Sequence, residues 1–144
     1  LFKMVEVFND NNEIDFVYGN YIITNKFKNK KGNYIDVSGL ENELKKGMIL
    51  GPFFMFKRSI LEKIGCFDEQ LLSGADFDFA MKLARSGNGK HIDFNLGFYL
   101  NDRSGLSTNE NSLQEIERTV VELRYGLNPL NKSLIEKAKK EYKI

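Results

Sequence analysis

Residues 51–87, GPFFMFKRSILEKIGCFDEQLLSGADFDFAMKLARSG, constrain the fold more than any other part of the chain. The apolar, aromatic run at 49–56 predicts a buried strand, and Pro52 marks either its entrance or a sheet edge because proline cannot donate to a strand ladder. The serine and glutamate of residues 59–62 have the spacing of a capping box and predict the start of a helix. Gly65 suits the left-handed conformation that ends a short helix.

A second helix follows a short acidic loop and begins at Gly74 or Asp76. Asp76 and Asp78 lie at this start, two residues apart. As caps, they would accept bonds from backbone amides and complement the helix dipole. As functional groups, they would supply a general base or ligands for magnesium or manganese. Capping explains the spacing more simply, and one carboxylate can cap the helix while the other faces a cleft.

The rest of the chain alternates strand and helix patterns before a helical tail. The spacing predicts a helix at 1–8, strands at 15–24, 33–37 and 91–99, and helices that begin with capping boxes at Ser112 and Ser133. Gly19, inside the first strand, predicts a bulge or a close approach of another chain segment. We therefore expect an α/β or α+β layer structure. There are too few strands for a complete doubly wound sheet, and the sequence contains no G-x-G-x-x-G motif and no P-loop.

A basic loop, KFKNKKG at residues 26–32, separates the first two predicted strands. Two interpretations are open. The lysines either bind phosphate or form a solvated hairpin tip that discourages edge-to-edge strand pairing.

Composition excludes several classes of function. The formal net charge of +1 gives no overall electrostatic case for a nucleic-acid or membrane partner. The single cysteine, Cys66, excludes an internal disulfide and a zinc site built from cysteines. We expect it to be a small buried residue beside Gly65, with a reactive thiol as the second alternative. No apolar run approaches the roughly 20 residues needed to span a bilayer. We recognise no signal peptide at the start of the chain.

Four phrases, in order, resemble family 2 glycosyltransferases, a large group of inverting, sugar-nucleotide-dependent enzymes with the GT-A fold. The phrases are DFVYGN, then GPFFMFKR, then GCFDE, and finally ADFDF followed by LA and a glycine. A further phrase, NDRSGLS, falls where the family usually has a tyrosine–arginine–histidine motif. The resemblance covers about residues 1–109.

The resemblance implies a partial GT-A-type α/β/α layer structure, a mixed sheet with flanking helices. Residues 1–109 would be the C-terminal, acceptor-side half of the domain, and residues 110–144 a helical C-terminal extension. Asp76 matches the family's general base. Asp78, Asp102 and Arg103 are substrate-binding candidates, although Asp78 is better explained as a structural residue and turn formation explains the other two equally well. Asp102 would alternatively serve as a metal ligand, and Arg103 would meet the donor diphosphate.

Two departures and one gap qualify the resemblance. Ala75 replaces the usual glutamate before the base, and the histidine of the later motif is absent. The metal-binding Asp-x-Asp motif is expected upstream of Leu1, so the main ligands for magnesium or manganese would lie outside this chain. We therefore expect the chain to be the C-terminal part of a longer enzyme and to be inactive alone.

The resulting functional hypothesis is transfer of a sugar from a nucleotide-diphosphate donor to a hydroxyl of a glycan or lipid-linked acceptor, as in polysaccharide biosynthesis. The expected location is the cytoplasm, at the inner face of the cell membrane if the acceptor is a lipid. Peripheral membrane association is compatible with the lysines of residues 132–143, and homodimer formation with an exposed apolar surface. No nucleic-acid partner is expected. The alternative is a non-catalytic carbohydrate-binding or oligomerisation module on the same scaffold.

Overall fold

The computed structural model describes residues 1–28, 30–39, 50–101 and 113–144, and these ranges form a mixed α/β structure. Within them, five helices accompany a four-stranded sheet. The elements are α1 (Phe2–Asp10), β1 (Phe16–Thr24), β2 (Asn33–Ile35), β3 (Phe54–Phe56), α2 (Leu61–Ile64), α3 (Ala75–Ser86), β4 (Gly89–Leu100), α4 (Gln114–Arg124) and α5 (Ile135–Glu141). Short 3₁₀ turns at Arg58–Ile60 and Lys132–Leu134 lead into α2 and α5. None of the helices in these ranges is long and apolar enough to cross a membrane.

β1 is the central strand of the sheet. β4 runs parallel to it along its whole length, from Phe16 opposite Gly89 to Thr24 opposite Leu100. β2 and β3 are antiparallel to β1 and pair with its C-terminal and N-terminal parts. The β1–β4 register shifts on both sides of Asn20, which confirms the irregularity predicted at Gly19.

Helices cover both faces of the sheet because side chains alternate along β1. Phe16 and Tyr18 point to one face and pack with Phe79 of α3. Val17 points to the opposite face and packs with Met4 of α1. The described residues thus form an α/β/α layering, with α3 and α1 on opposite sides of the sheet.

The helices near the C-terminus pack on α3 rather than on the sheet. Their shared core is made of buried apolar side chains from the loop before α3, from α3 itself, from α4 and from α5, namely Leu71, Phe77, Met81, Ile116, Val120, Val121 and Ala138. This core fixes α4 beside the first turn of α3, where the candidate base lies. The predicted domain boundary between residues 109 and 110 falls outside the described residues.

The predicted strand at 49–56 begins later than expected. Residue 49 lies outside the described residues, and within residues 50–56 only Phe54–Phe56 is a strand. Gly51 has a positive φ of 68°, a conformation that breaks an extended strand and favours glycine. Pro52 precedes the strand, as expected for an entrance.

The predicted capping boxes are also wrong where the structure describes them. Lys57, not Ser59, precedes the turn into α2, and no side chain caps it. At the last helix, the side chain of Asn131 accepts from the Ser133 amide, so Ser133 is capped rather than capping. Ser112 lies outside the described residues, and Leu113 precedes α4 without a side-chain cap.

The region around Gly65 contains one confirmed prediction and one error. Gly65 ends α2 with a φ of 74°, as the left-handed cap requires. Cys66 is exposed, so the expectation of a buried cysteine is wrong. The ring of the next residue, Phe67, stacks on Phe79 with 4.4 Å between the ring centres, so this side chain contacts the core in place of the cysteine.

Candidate functional site

A pocket of about 340 Å³ opens where the C-terminal ends of β1 and β4 meet the first turn of α3 and the start of α4. Because β1 and β4 are parallel, Tyr21 and Tyr99 reach the same edge of the sheet. The lining combines aromatic and aliphatic side chains with a few polar groups, a composition typical of small-molecule sites. The lining residues are Tyr21, Ile23, Gly51, Pro52, Ser73, Gly74, Asp76, Phe77, Tyr99, Gln114 and Arg118.

Asp76 lies in the first turn of α3 and lines this pocket with an exposed side chain. Its Oδ1 accepts a hydrogen bond of 2.8 Å from the amide of the next residue, Phe77. No ion pair joins Asp76 to another part of the described chain. Gly74 is the N-cap residue and has no side chain to cap the helix. The bond from the Phe77 amide is therefore the first-turn capping contact that the sequence predicts, and no cation of the described residues neutralises the Asp76 carboxylate.

Asp78 has the opposite environment and does not line the pocket. It is buried, and Lys82 Nζ lies 2.8 Å from its Oδ2. The Tyr125 hydroxyl donates to its Oδ1 across 3.2 Å, and Arg124 Nη1 is 3.7 Å away. Burial, followed by the charge of Asp78, raises the pKa of Tyr125 above that of an ordinary tyrosine. These contacts fasten α3 to α4 and support the structural interpretation of Asp78.

Glu117, on α4, holds the loop that leads into α3, and the sequence interpretation missed it. It is completely buried. Its Oε2 accepts from the amides of Ser73 and Gly74 at 2.6 and 2.7 Å, and its Oε1 accepts from the amide of Leu72 at 3.1 Å. The hydroxyl of Tyr142 adds a fourth donor at 3.3 Å. One carboxylate thus satisfies three successive amides immediately before the helix that carries Asp76.

The fit between α4 and this loop depends on Gly74. A Cβ atom at this position would lie 2.9 Å from Cβ of Glu117. The absence of a side chain lets the two backbones approach closely enough for the carboxylate to reach the amides.

Two tyrosines and an arginine complete the polar lining. Burial raises the pKa of Tyr21, and the nearby Tyr99 raises it further. Arg118 donates from Nε to Glu122 across 2.9 Å, and its guanidinium carbon lies 5.8 Å from the ring centre of Phe77. The Glu122 carboxylate therefore orients Arg118 along the pocket wall.

The hydroxyl of Ser73 is a further polar group at the pocket. Its Oγ is buried and has no hydrogen-bond partner in the part of the chain that the structure describes. Buried hydroxyl groups are usually paired, so this group is suited to bonding a ligand.

The other candidates from the sequence are not placed. Asp102 and Arg103 lie outside the described residues, so their roles stay predictions. Within residues 1–28, 30–39, 50–101 and 113–144, no group of three or more histidine, cysteine or acidic side chains is arranged to hold a metal ion.

Comparison with known proteins assigns no family to this chain. Neither a scan against protein-family models nor a search of curated proteins finds a match for this chain.

Proposed function

We propose that this chain forms the acceptor side of an inverting glycosyltransferase of family 2, in which Asp76 is the general base. The observation that carries the proposal is the exposed carboxylate of Asp76, which faces a pocket and has no ion pair with the described residues. A carboxylate that only capped a helix would not need a pocket in front of it. The mixed sheet with helices on both faces is compatible with part of a GT-A fold.

The chemistry requires one base on the acceptor side. As the acceptor oxygen forms its bond to the anomeric carbon, Asp76 takes the hydroxyl proton and the bond to the nucleotide-diphosphate oxygen breaks. Attack opposite the leaving group inverts the anomeric configuration. Rigid placement at the start of a helix serves this role, because positioning contributes much of the rate.

The pocket walls suit a sugar acceptor. The rings of Tyr21 and Tyr99 offer apolar faces with a polar tip, and Ser73 and Arg118 offer hydrogen-bonding groups. Among the described lining residues, Asp76 is the acidic and Arg118 the basic side chain, and Arg118 is already paired with Glu122. The described lining thus offers no unpaired cation to an anionic ligand, which favours an uncharged, hydroxyl-rich one.

The divalent metal of the family has no fitting site in the described part of this chain. Dependence on magnesium or manganese therefore rests on the sequence resemblance, with ligands expected upstream of Leu1 and at Asp102. Asp76 and the other residues of the pocket act on the acceptor and its proton.

The proposal is tested by incubating the full-length gene product with nucleotide-diphosphate sugars and a mixed glycan and glycolipid acceptor fraction, then measuring product by mass spectrometry and its anomeric configuration by NMR. We expect one donor to give a glycosylated product of inverted configuration, and chelation with EDTA to stop its formation. Retention of configuration, or the absence of transfer with every donor, would contradict the proposal.

A non-catalytic carbohydrate-binding module is the second candidate. The alanine at position 75 and the missing histidine favour it, since both replace polar groups of the family pattern. Saccharide binding at the pocket without transfer by the full-length product would identify this alternative.

A further inference from the structure

The connection between β1 and β2, which the structure describes at residues 25–28 and 30–32, is strongly basic and is called the hairpin tip below. It contains Lys26, Lys28, Lys30 and Lys31 and no acidic residue, in a chain whose formal net charge is only +1. All four lysines are exposed. Positive charge is therefore concentrated on one turn, although the net charge of the whole chain is close to zero.

An aromatic ring projects from the same turn. Phe27 is 80% exposed, and Nζ of Lys28 lies 5.8 Å from the centre of its ring. Lys28 has a positive φ of 62°, which is uncommon for a residue other than glycine. A large apolar side chain is thus presented to the outside between cationic groups.

A shallow cavity of about 320 Å³ lies at the base of the tip. Its walls include Lys26, Lys31 and the polar residues Thr24, Asn25 and Asn33. The Thr24 hydroxyl already donates to the carbonyl of Lys26. The amide and ammonium groups of the lining are of the kinds that donate hydrogen bonds to phosphate.

We infer that this hairpin tip docks on an anionic lipid bilayer, with Phe27 inserted at the interface and the lysines on lipid phosphates. Aromatic side chains favour the headgroup region, and basic residues near an anionic surface add attraction. Single-stranded nucleic acid fits less well, since it requires a groove with several stacking rings along a strand. Within residues 25–32, Phe27 is the one aromatic side chain.

The hairpin tip lies next to the pocket at Asp76, so docking of the tip on a membrane would bring that pocket close to the membrane surface. The carbonyl of Thr24 accepts from the Asn101 amide at 2.8 Å, so the ends of β1 and β4 meet beside the tip. Ile23 borders both the pocket at Asp76 and the cavity at the tip. If the proposed function holds, docking places the pocket near a lipid-linked acceptor. The lipid contact itself does not depend on that function.

The inference is tested by co-sedimentation of the wild-type protein and its variants with vesicles. One set of vesicles contains phosphatidylcholine alone and the other phosphatidylcholine with phosphatidylglycerol, and the fraction of bound protein is measured. We expect binding only to the anionic vesicles and its loss at high salt. Replacing Lys26 and Lys28 by glutamine should weaken binding roughly fivefold for each lysine. The matched control is glutamine at Lys137 and Lys140, two exposed lysines on α5, and it should stay close to wild type.

A fluorescence measurement tests insertion separately. The chain contains no tryptophan, so Phe27→Trp supplies a single reporter. Its emission should shift to shorter wavelength with anionic vesicles and stay unchanged with inorganic phosphate. The inference is overturned by equal losses in the tip and α5 variants, by an unshifted emission in vesicle-bound protein, or by tighter binding to a single-stranded oligonucleotide than to anionic vesicles. A transfer-inactive protein that still shows the shift would count against the proposed function alone.

Discussion

Replacing Asp76 by asparagine should lower sugar transfer by the full-length gene product roughly 10²–10⁴-fold, the usual contribution of a general base. Asparagine keeps the size of the side chain and can still accept the amide bond from Phe77. Asp76 is exposed, so the main loss of stability is its favourable interaction with the helix N-terminus, and the free energy of unfolding should fall by no more than about 1 kcal/mol. Initial rates and chemical denaturation measure the two effects.

The matched control is Asp78→Asn, two residues further along the same helix. Asp78 is buried against Lys82 and Tyr125, so its loss should reduce the free energy of unfolding by about 2–4 kcal/mol. Transfer measured below the unfolding transition should persist. If Asp76→Asn retains wild-type transfer, or if Asp78→Asn abolishes it in folded protein, the assignment of the base is wrong.

The largest effect on stability is expected for Glu117→Ala, about 3–5 kcal/mol. The substitution removes the acceptor for the amides of Leu72, Ser73 and Gly74, and it leaves the buried amide of Gly74 without that partner. Urea denaturation followed by circular dichroism measures the loss.

Two further variants separate the role of Glu117 from the general effect of removing a charge. Glu117→Gln keeps an acceptor oxygen but turns an amide group toward other donors, so an intermediate loss of about 1–3 kcal/mol is expected. Glu115→Ala, at an exposed position on the same helix, removes one exposed hydrogen bond from Asn131 and should stay within about 1 kcal/mol of wild type. Equal stability of the Glu117→Ala and Glu115→Ala variants would show that the buried carboxylate does not hold the loop.

Local sequence patterns predicted the start of the helix that carries Asp76. The apolar side chains of α3 and the glycine before it predict a helix that begins near Gly74, and the structure has Ala75–Ser86. Gly65 was also assigned correctly, because its positive φ depends on the ending of one short helix. Such features follow from a few neighbouring residues.

Features that depend on distant contacts were missed. Glu117 acts on a loop more than forty residues earlier in the chain, and no local pattern links the two. One signal was present: this acidic residue directly follows Ile116 and lies one turn before Val121, which are both buried. The predicted capping boxes at Ser59 and Ser133 are absent for a related reason. No side chain caps the turn into α2, and Asn131 caps the turn into α5.

The proposed function requires that the pocket at Asp76 binds a carbohydrate acceptor. The most direct measurement is an NMR titration of the chain with a panel of methyl pyranosides and oligosaccharides, without a sugar nucleotide. We predict saturable amide shifts for at least one saccharide, centred on Ser73, Gly74 and Asp76, and their weakening in the Asp76→Asn variant. Saturable shifts centred elsewhere, or no shifts with any saccharide, would contradict the proposed function.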